Sequence, residues 1–289
     1  MGVEAATIVA HEPIAEATWR LRLDCPSLAA NARPGQFAMV RIPDRQDPLL
    51  ARPLAVYDTF GALADPTCWL PARAAATAKA LRYADFVYAV AGKFTTAATR
   101  LKPGEQLTLW GPLGNGFTLP KAEHLLLVAG GIGQTALLML GRAWLAANPA
   151  GRVSFCWGAR EAGLFGHVED FRNAGMAVEL ATLDGTVGTR GSVIDLLDSL
   201  AGQNKIAGGS RTAIACCGPE GMMAAVSNWA ANRGIDCQVS LETPMACGIG
   251  ICFSCVAPVR DREGGWDYRR TCVEGPIFDG QSIAWEATV

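Results

Sequence analysis

The chain has 289 residues, about two domains' worth, and with half of them apolar and 18% charged it has the composition of a globular protein with real cores. A formal net charge of −2, with no lysine or arginine block, excludes the electrostatic footprint of a nucleic-acid binder. Ten cysteines in a chain of this size point to metal or redox work rather than to the disulfide framework of a small secreted domain.

The first residues, MGVEAATIVAHEP, lack the basic start and apolar core of a signal peptide, and Ala6 stands where a myristoylation motif needs Ser or Thr. The most apolar stretch, Leu125 to Ile132, is far shorter than the ~20 residues of a membrane span. The expectation is a cytoplasmic protein with no span.

Residues 1–118 read as β-structure. Thr18–Leu23 alternates, with Trp19, Leu21 and Leu23 on one face and Arg20 and Arg22 on the other. Arg33-Pro34-Gly35 and Lys102-Pro103-Gly104 are turn signals ahead of Phe37–Ile42 and Gln106–Trp110. Short strands between such turns predict a small antiparallel barrel. The alanine-rich run Leu63–Ala84 interrupts the rhythm as an insertion. Between two barrel strands, Arg52-Pro53-Leu54-Ala55 is a candidate phosphate anchor, because a guanidinium fork matches phosphate oxygens and proline fixes the backbone. A surface arginine in a turn is the plainer alternative.

Residues 119–241 alternate strand and helix, which predicts a parallel, doubly wound sheet. Leu125–Ala129 is a strand buried on both faces, followed by a helix with a stripe through Leu137, Leu140, Trp144 and Leu145. Val153–Trp157, Met176–Ala181 and Thr212–Cys216 are further strands. Ser192 and Asp195 are spaced to cap a helix between the last two, and the helix Glu220–Arg233 is expected to bury Met222, Val226 and Trp229 and stop at Gly234. The turn Gly130-Gly131-Ile132-Gly133 offers free backbone and a helix amino terminus to a pyrophosphate, or is a plain strand–helix turn. Cys217-Gly218-Pro219 closes a later strand and is placed at the same carboxyl edge. Cys217 itself reads equally as a buried thiol.

Residues 242–289 carry the most specific signal. Cys247-Gly-Ile-Gly-Ile-Cys252-Phe-Ser-Cys255, with Cys272 further on, has the C-x4-C-x2-C…C spacing of plant-type [2Fe–2S] sites. Each tetrahedral iron needs two thiolates besides the bridging sulfides. Glycines between the first two cysteines let the loop turn its N–H groups onto sulfur. A structural zinc site is the alternative, although zinc favours two short C-x-x-C-like pairs. Residues 242–289 are too few for a whole ferredoxin domain and form a reduced module packed on the preceding one. The remaining cysteines (Cys25, Cys68, Cys156, Cys216, Cys217, Cys237) sit among apolar neighbours and read as core. His11, His124 and His167 show no ligand spacing, and no triad or carboxylate pair is evident.

On these residues the chain resembles the electron-transfer subunit of NAD-linked (class 1B) dihydroorotate dehydrogenases, within the ferredoxin-reductase superfamily. The likeness runs over nearly the whole chain, most specifically Ser240–Cys255 and Thr271–Phe278, with Trp110–Phe117, Gly130–Gly133, Asp184-Gly185 and Cys217–Pro219 in support. The resemblance implies a barrel of FAD-binding type, a nucleotide-binding domain for NAD, and a [2Fe–2S] module. It also implies a separate FMN-containing catalytic subunit, from which electrons pass through cluster and FAD to NAD⁺ in pyrimidine biosynthesis. Flavin contacts carried over by motif fall on Arg52, Pro53, Leu54, Ala55, Val87, Tyr88, Ala89, Phe94 and Thr95. Nucleotide contacts fall on Gly130, Gly131, Gly133, Cys217, Gly218 and Pro219.

Four positions depart from the family pattern. Ala55 replaces a serine, Ala89 an arginine, Phe94 a small residue and Ala136 a proline, and three of these are flavin positions. Arg73 or Arg82 from the insertion are substitutes for the missing charge. Two other readings remain open: the same scaffold serving a different oxidoreductase, with altered or lost FAD binding, and a zinc- or cluster-based redox sensor.

Overall fold

The computed structural model describes residues 2–61 and 81–287. Most of the alanine-rich insertion, with Cys68 and Arg73, lies outside the described residues; Tyr83 and Ala84 at its end are already in a strand.

The first half forms a seven-stranded antiparallel sheet of β1 (Gly2–Ala15), β2 (Thr18–Asp24), β3 (Phe37–Arg41), β4 (Arg52–Ala55), β5 (Asp58–Phe60), β6 (Tyr83–Ala89) and β7 (Gln106–Leu113), in the order β4-β3-β7-β1-β2-β6-β5. Its two edge strands, β4 and β5, are consecutive in sequence and separated only by Val56 and Tyr57. Two residues cannot span a flat sheet of seven strands, so the sheet must roll until its edges meet. The expected barrel is the result. Short helices α1 (Pro26–Asn31) and α2 (Lys93–Ala98) pack at its ends, and Leu21, Leu23, Val40, Phe86, Phe94 and Leu109 fill it.

The second half is the expected doubly wound sheet. Its strands are β8 (His124–Gly130), β9 (Arg152–Ala159), β10 (Ala177–Thr182), β11 (Thr189–Arg190), β12 (Thr212–Cys217) and β13 (Asp236–Ser240), all parallel where paired. Helices α3 (Leu138–Ala147) and α4 (Val168–Asn173) cover one face; α5 (Val193–Gly202) and α6 (Glu220–Ala231) cover the other. The apolar run of β8 serves both. Leu125, Leu127 and Ala129 pack with Trp144 and Phe171, while Leu126 and Val128 pack with Leu197, Val226 and Trp229. Ser192 caps α5 as its spacing predicts: Ser192 N–H donates to Asp195 Oδ2 (2.7 Å) and Asp195 N–H to Ser192 Oγ (3.4 Å). On α6 it is Met223 rather than Met222 that is buried, and Met222 turns toward the glycine loops at the strand ends.

The tail adds a hairpin, β14 (Val256–Arg260) and β15 (Trp266–Arg270), and then β16 (Ile277–Asp279). β16 pairs antiparallel with β13, so the central order is β11-β10-β9-β8-β12-β13-β16 and the tail completes the sheet of the preceding unit. Strand order reverses between β8 and β12, which puts the switch point of the sheet beside the barrel mouth. No helix among the described residues is long and apolar enough to cross a membrane.

Candidate functional site

A cavity of about 750 Å³ lies where the barrel, the switch point and the tail meet. The barrel contributes Arg52–Ala55, Val87–Ala89, Gly92, Phe94 and Thr95; the sheet contributes Ile132, Gly133, Thr135, Ala136 and Cys217. Residues Ser240–Ala246 and Ser254 form the third wall. Every flavin position expected from sequence therefore lines one space, together with Gly133 and Cys217. Gly130, Gly131, Gly218 and Pro219 do not line it. Ser240, Glu242, Thr243 and Ser254 were not among the expected site residues, although all four lie in the Ser240–Cys255 stretch that carries the resemblance.

The polar groups of the wall are few. The Arg52 guanidinium donates only to its neighbour's carbonyl, Ala51 O (3.3 Å), and has no carboxylate partner among the described residues, so its fork is available. His11 lies 3.0 Å through Nδ1 from Leu101 O and 2.8 Å through Nε2 from the Tyr88 hydroxyl. A carbonyl only accepts, so Nδ1 carries the proton and Nε2 accepts from Tyr88. Burial lowers the His11 pKa and raises that of Tyr88, which keeps both neutral. The Thr95 hydroxyl accepts from Ala91 N–H (2.9 Å) and Gly92 N–H (3.0 Å), so it shapes the turn before α2. Phe94 packs its ring into the barrel core. Arg82, considered as a replacement for the missing charge, is bound at the surface to Asp24 (2.6 Å).

The glycine turn packs closely against a second loop of the same sheet edge. A Cβ on Gly133 would lie 2.1 Å from Cys217 O, and one on Gly130 would lie 2.4 Å from Met222 Sδ and 2.8 Å from Pro219 Cδ. These glycines let the turn press against the Cys217–Pro219 loop. Only Gly131, at φ +52°, faces open space. The Cys217 thiol is pushed up to about 12 by burial and by Glu242 nearby, with a Ser240 hydrogen bond working against them. Burial also raises the Glu242 carboxyl, although that side chain is open to the cavity.

The cysteine loop backs directly onto this cavity. Cys255 and Cys272 are buried with Met245, Phe37 and Met39, while Cys247 is half-buried and Cys252 exposed. All four thiols are free and group in pairs, Cys252 interacting with Cys247 and Cys272 with Cys255. Among the described residues no three His, Cys, Asp or Glu side chains gather as they would around one ion; two irons, each taking two thiolates, call only for pairs. The loop geometry fits a cluster. Ile249 N–H donates to Cys247 Sγ (3.4 Å), Trp110 Nε1 holds Cys247 O (3.0 Å), and Arg270 Nη1 holds Gly250 O (3.1 Å). Gly248 (φ +71°) and Gly250 (φ +80°) have Cβ positions 2.5 Å from Met39 Cγ and 2.6 Å from Val273 Cγ2, so only glycine fits there. Thr271 Oγ1 donates to Cys255 O (3.0 Å) and meets Thr243 Oγ1 at 2.5 Å, which links the cavity wall to the loop. The Cys252 thiol is lowered to about 6 by Ser254 and Cys247, whereas burial and Cys255 push Cys272 up to about 12.

Residues 242–284 match the family model of the iron–sulfur cluster binding domain of dihydroorotate dehydrogenase B. The dihydroorotate dehydrogenase B (NAD(+)) electron transfer subunit of Desulforamulus reducens is 32% identical over 285 residues, covering 97% of this chain and 98% of that protein. Its counterpart in Geobacillus thermodenitrificans is 33% identical over 281 residues, with 96% and 97% covered. Among solved structures, an NADH-dependent reduced ferredoxin-NADP oxidoreductase superposes with a TM-score of 0.78 at 27% identity, covering 99% of this chain and 91% of that one. Phthalate dioxygenase reductase shares the fold, with a TM-score of 0.60 at 17% identity and 94% of each chain covered. With identity at this level sustained end to end, the chain belongs to the family of dihydroorotate dehydrogenase B (NAD(+)) electron-transfer subunits.

Proposed function

We propose that this chain relays electrons between NAD(H) and a catalytic subunit of dihydroorotate dehydrogenase type, using FAD in the 750 Å³ cavity and a [2Fe–2S] cluster on Cys247, Cys252, Cys255 and Cys272. One observation carries the reading: Met245, Ala246 and Ser254 belong both to the cavity wall and to the cysteine loop, so the two sites share a wall. When bound, FAD would supply the exchange between two-electron hydride chemistry and the one-electron chemistry of the cluster. The chain's own residues hold and insulate. Arg52 would offer its fork to the pyrophosphate, and Tyr88 on the barrel side is tied to His11. Cys217, Ser240 and Glu242 line the side open to the switch point, where a nicotinamide dinucleotide binds in sheets of this kind.

Three units follow, a flavin barrel (1–118), a nucleotide domain (119–241) and a cluster module (242–289), with β16 of the last built into the sheet of the second. Ile251, Phe253 and Val273 are 75%, 63% and 48% exposed around the cysteine loop and form the apolar face we assign to the catalytic subunit in a hetero-oligomer. A cytoplasmic location goes with this reading, since pyrimidine biosynthesis with NAD(H) is a reducing, intracellular task. Ala55 and Ala89 leave the cavity wall without a hydroxyl and a guanidinium, which favours a second reading: the same relay serving another oxidoreductase.

Anaerobically purified protein should contain FAD, iron and acid-labile sulfide, and NADH should bleach its flavin and cluster absorption. Cys252→Ser should lose the cluster bands and keep FAD. Zinc without sulfide, or no extractable FAD, would defeat the cluster or flavin half respectively. Affinity capture from the native host separates the two partner readings: a dihydroorotate dehydrogenase catalytic chain supports the first, and a different oxidoreductase the second.

A further inference from the structure

Ser254 stands between the two sites. Its side chain borders the cavity, and its Oγ lies 3.2 Å from Cys252 Sγ. The same oxygen accepts from Ala246 N–H (3.2 Å) and has one other acceptor in reach, Pro244 O at 3.5 Å. A hydroxyl has a single proton to give, and a metal-bound thiolate can only accept. With the amide of Ala246 fixing one lone pair, and the carbonyl at the limit of hydrogen-bond length, the proton is left pointing at sulfur.

We propose that Ser254 is a positioning and tuning residue of the cluster, donating an O–H···S hydrogen bond to Cys252 on the side that faces the flavin cavity. Cys252 is the exposed ligand, and its other partners are the Ser254 backbone and the neighbouring Cys247. Reduction adds negative charge to the cluster and its sulfurs, so a donor aimed at one of them stabilises the reduced form more than the oxidised form and raises the reduction potential. The inference rests on the cluster assignment made above and adds the residue that sets the potential at its exposed edge. Nothing else in the loop supplies a side-chain hydroxyl to Cys252 among the described residues.

The test uses the holoprotein, with Ser254→Ala and Ser254→Thr, in an anaerobic redox titration followed by electron paramagnetic resonance for the cluster and by absorbance for the flavin. Iron, sulfide and FAD are assayed on each sample. Ser254→Ala should lower the cluster midpoint, changing the reduced-to-oxidised ratio at fixed potential by about tenfold, which is about 59 mV for one electron. Ser254→Thr, which keeps the hydroxyl, should stay near wild type, and the flavin midpoint should not move in either. An unchanged midpoint in Ser254→Ala overturns the proposal. So does an equal drop in Ser254→Thr, or a parallel shift of the flavin. If Ser254→Ala fails to retain iron and sulfide that Ser254→Thr retains, the hydroxyl serves assembly, and tuning is again overturned. Wild-type protein without iron and sulfide would instead remove the cluster assignment itself.

Discussion

Arg20 and Arg22 alternate along β2 with apolar residues, a pattern that ordinarily marks a wet face, yet they are 1% and 0% exposed. Arg20 bonds Asp85 through Nε (3.0 Å) and Nη2 (2.6 Å) and reaches Asp170 on α4 through Nη1 (2.8 Å); Arg22 Nε takes the other oxygen of Asp85 (2.7 Å). Tyr57 donates to Asp170 as well (2.8 Å), so a buried polar cluster joins barrel and sheet beside their apolar contacts. Burial alone would raise Asp170, but His167, Arg20 and Tyr57 hold it below the usual carboxylate range. None of this was legible beforehand, because Asp85 and Asp170 meet Arg20 only through tertiary structure. Asp58, bound to Arg142 of α3, is the exception in sign: burial outweighs its partner and raises it from 3.8 to about 6. Its folded pKa exceeds its unfolded one, so its contribution to stability is complete below about pH 4 and is lost as pH rises through 6. Urea unfolding at pH 5 and pH 7.5 should therefore show wild type losing about 1–1.5 kcal/mol relative to Asp58→Asn. Parallel pH profiles for the two proteins would refute it.

At the scale of elements, what could be read in advance was local. The cap of α5 and the buried run of β8 each depend on neighbours within a few residues, and each is where the pattern put it. The glycine turn was legible as a turn but its packing was not, since its tight contacts are to Cys217 O, Pro219 and Met222, far along the chain. Two substitutions distinguish packing from ligand approach. Gly133→Ala forces a methyl to within 2.1 Å of Cys217 O and should cost about 3 kcal/mol or more, with loss of bound FAD as the cavity wall shifts. Gly131→Ala meets only the positive φ of +52° and should cost about 1–2 kcal/mol with FAD retained. Thermal melts with flavin assays on both variants check this. Equal flavin loss in the two would mean that the turn acts on the ligand directly.

For the whole molecule, the boundary at residue 241 marks a change of chemistry but not a detachable body. β16 is an edge strand of the central sheet, Ile277 is in its core, and Glu242–Ala246 wall the cavity. A chain ended at residue 241 should lose FAD along with the cluster and expose the bare edge of β13; flavin content and light scattering after gel filtration report both. Retention of FAD at wild-type level would show that the barrel and sheet suffice to hold it. The late position of β16 also bears on biosynthesis. While the polypeptide is still being made, β13 has an unpaired flank until residues 277–279 emerge, and naked strand edges invite association between nascent chains. A ribosome must therefore pass all four cysteines before the edge of the preceding domain's sheet can be covered.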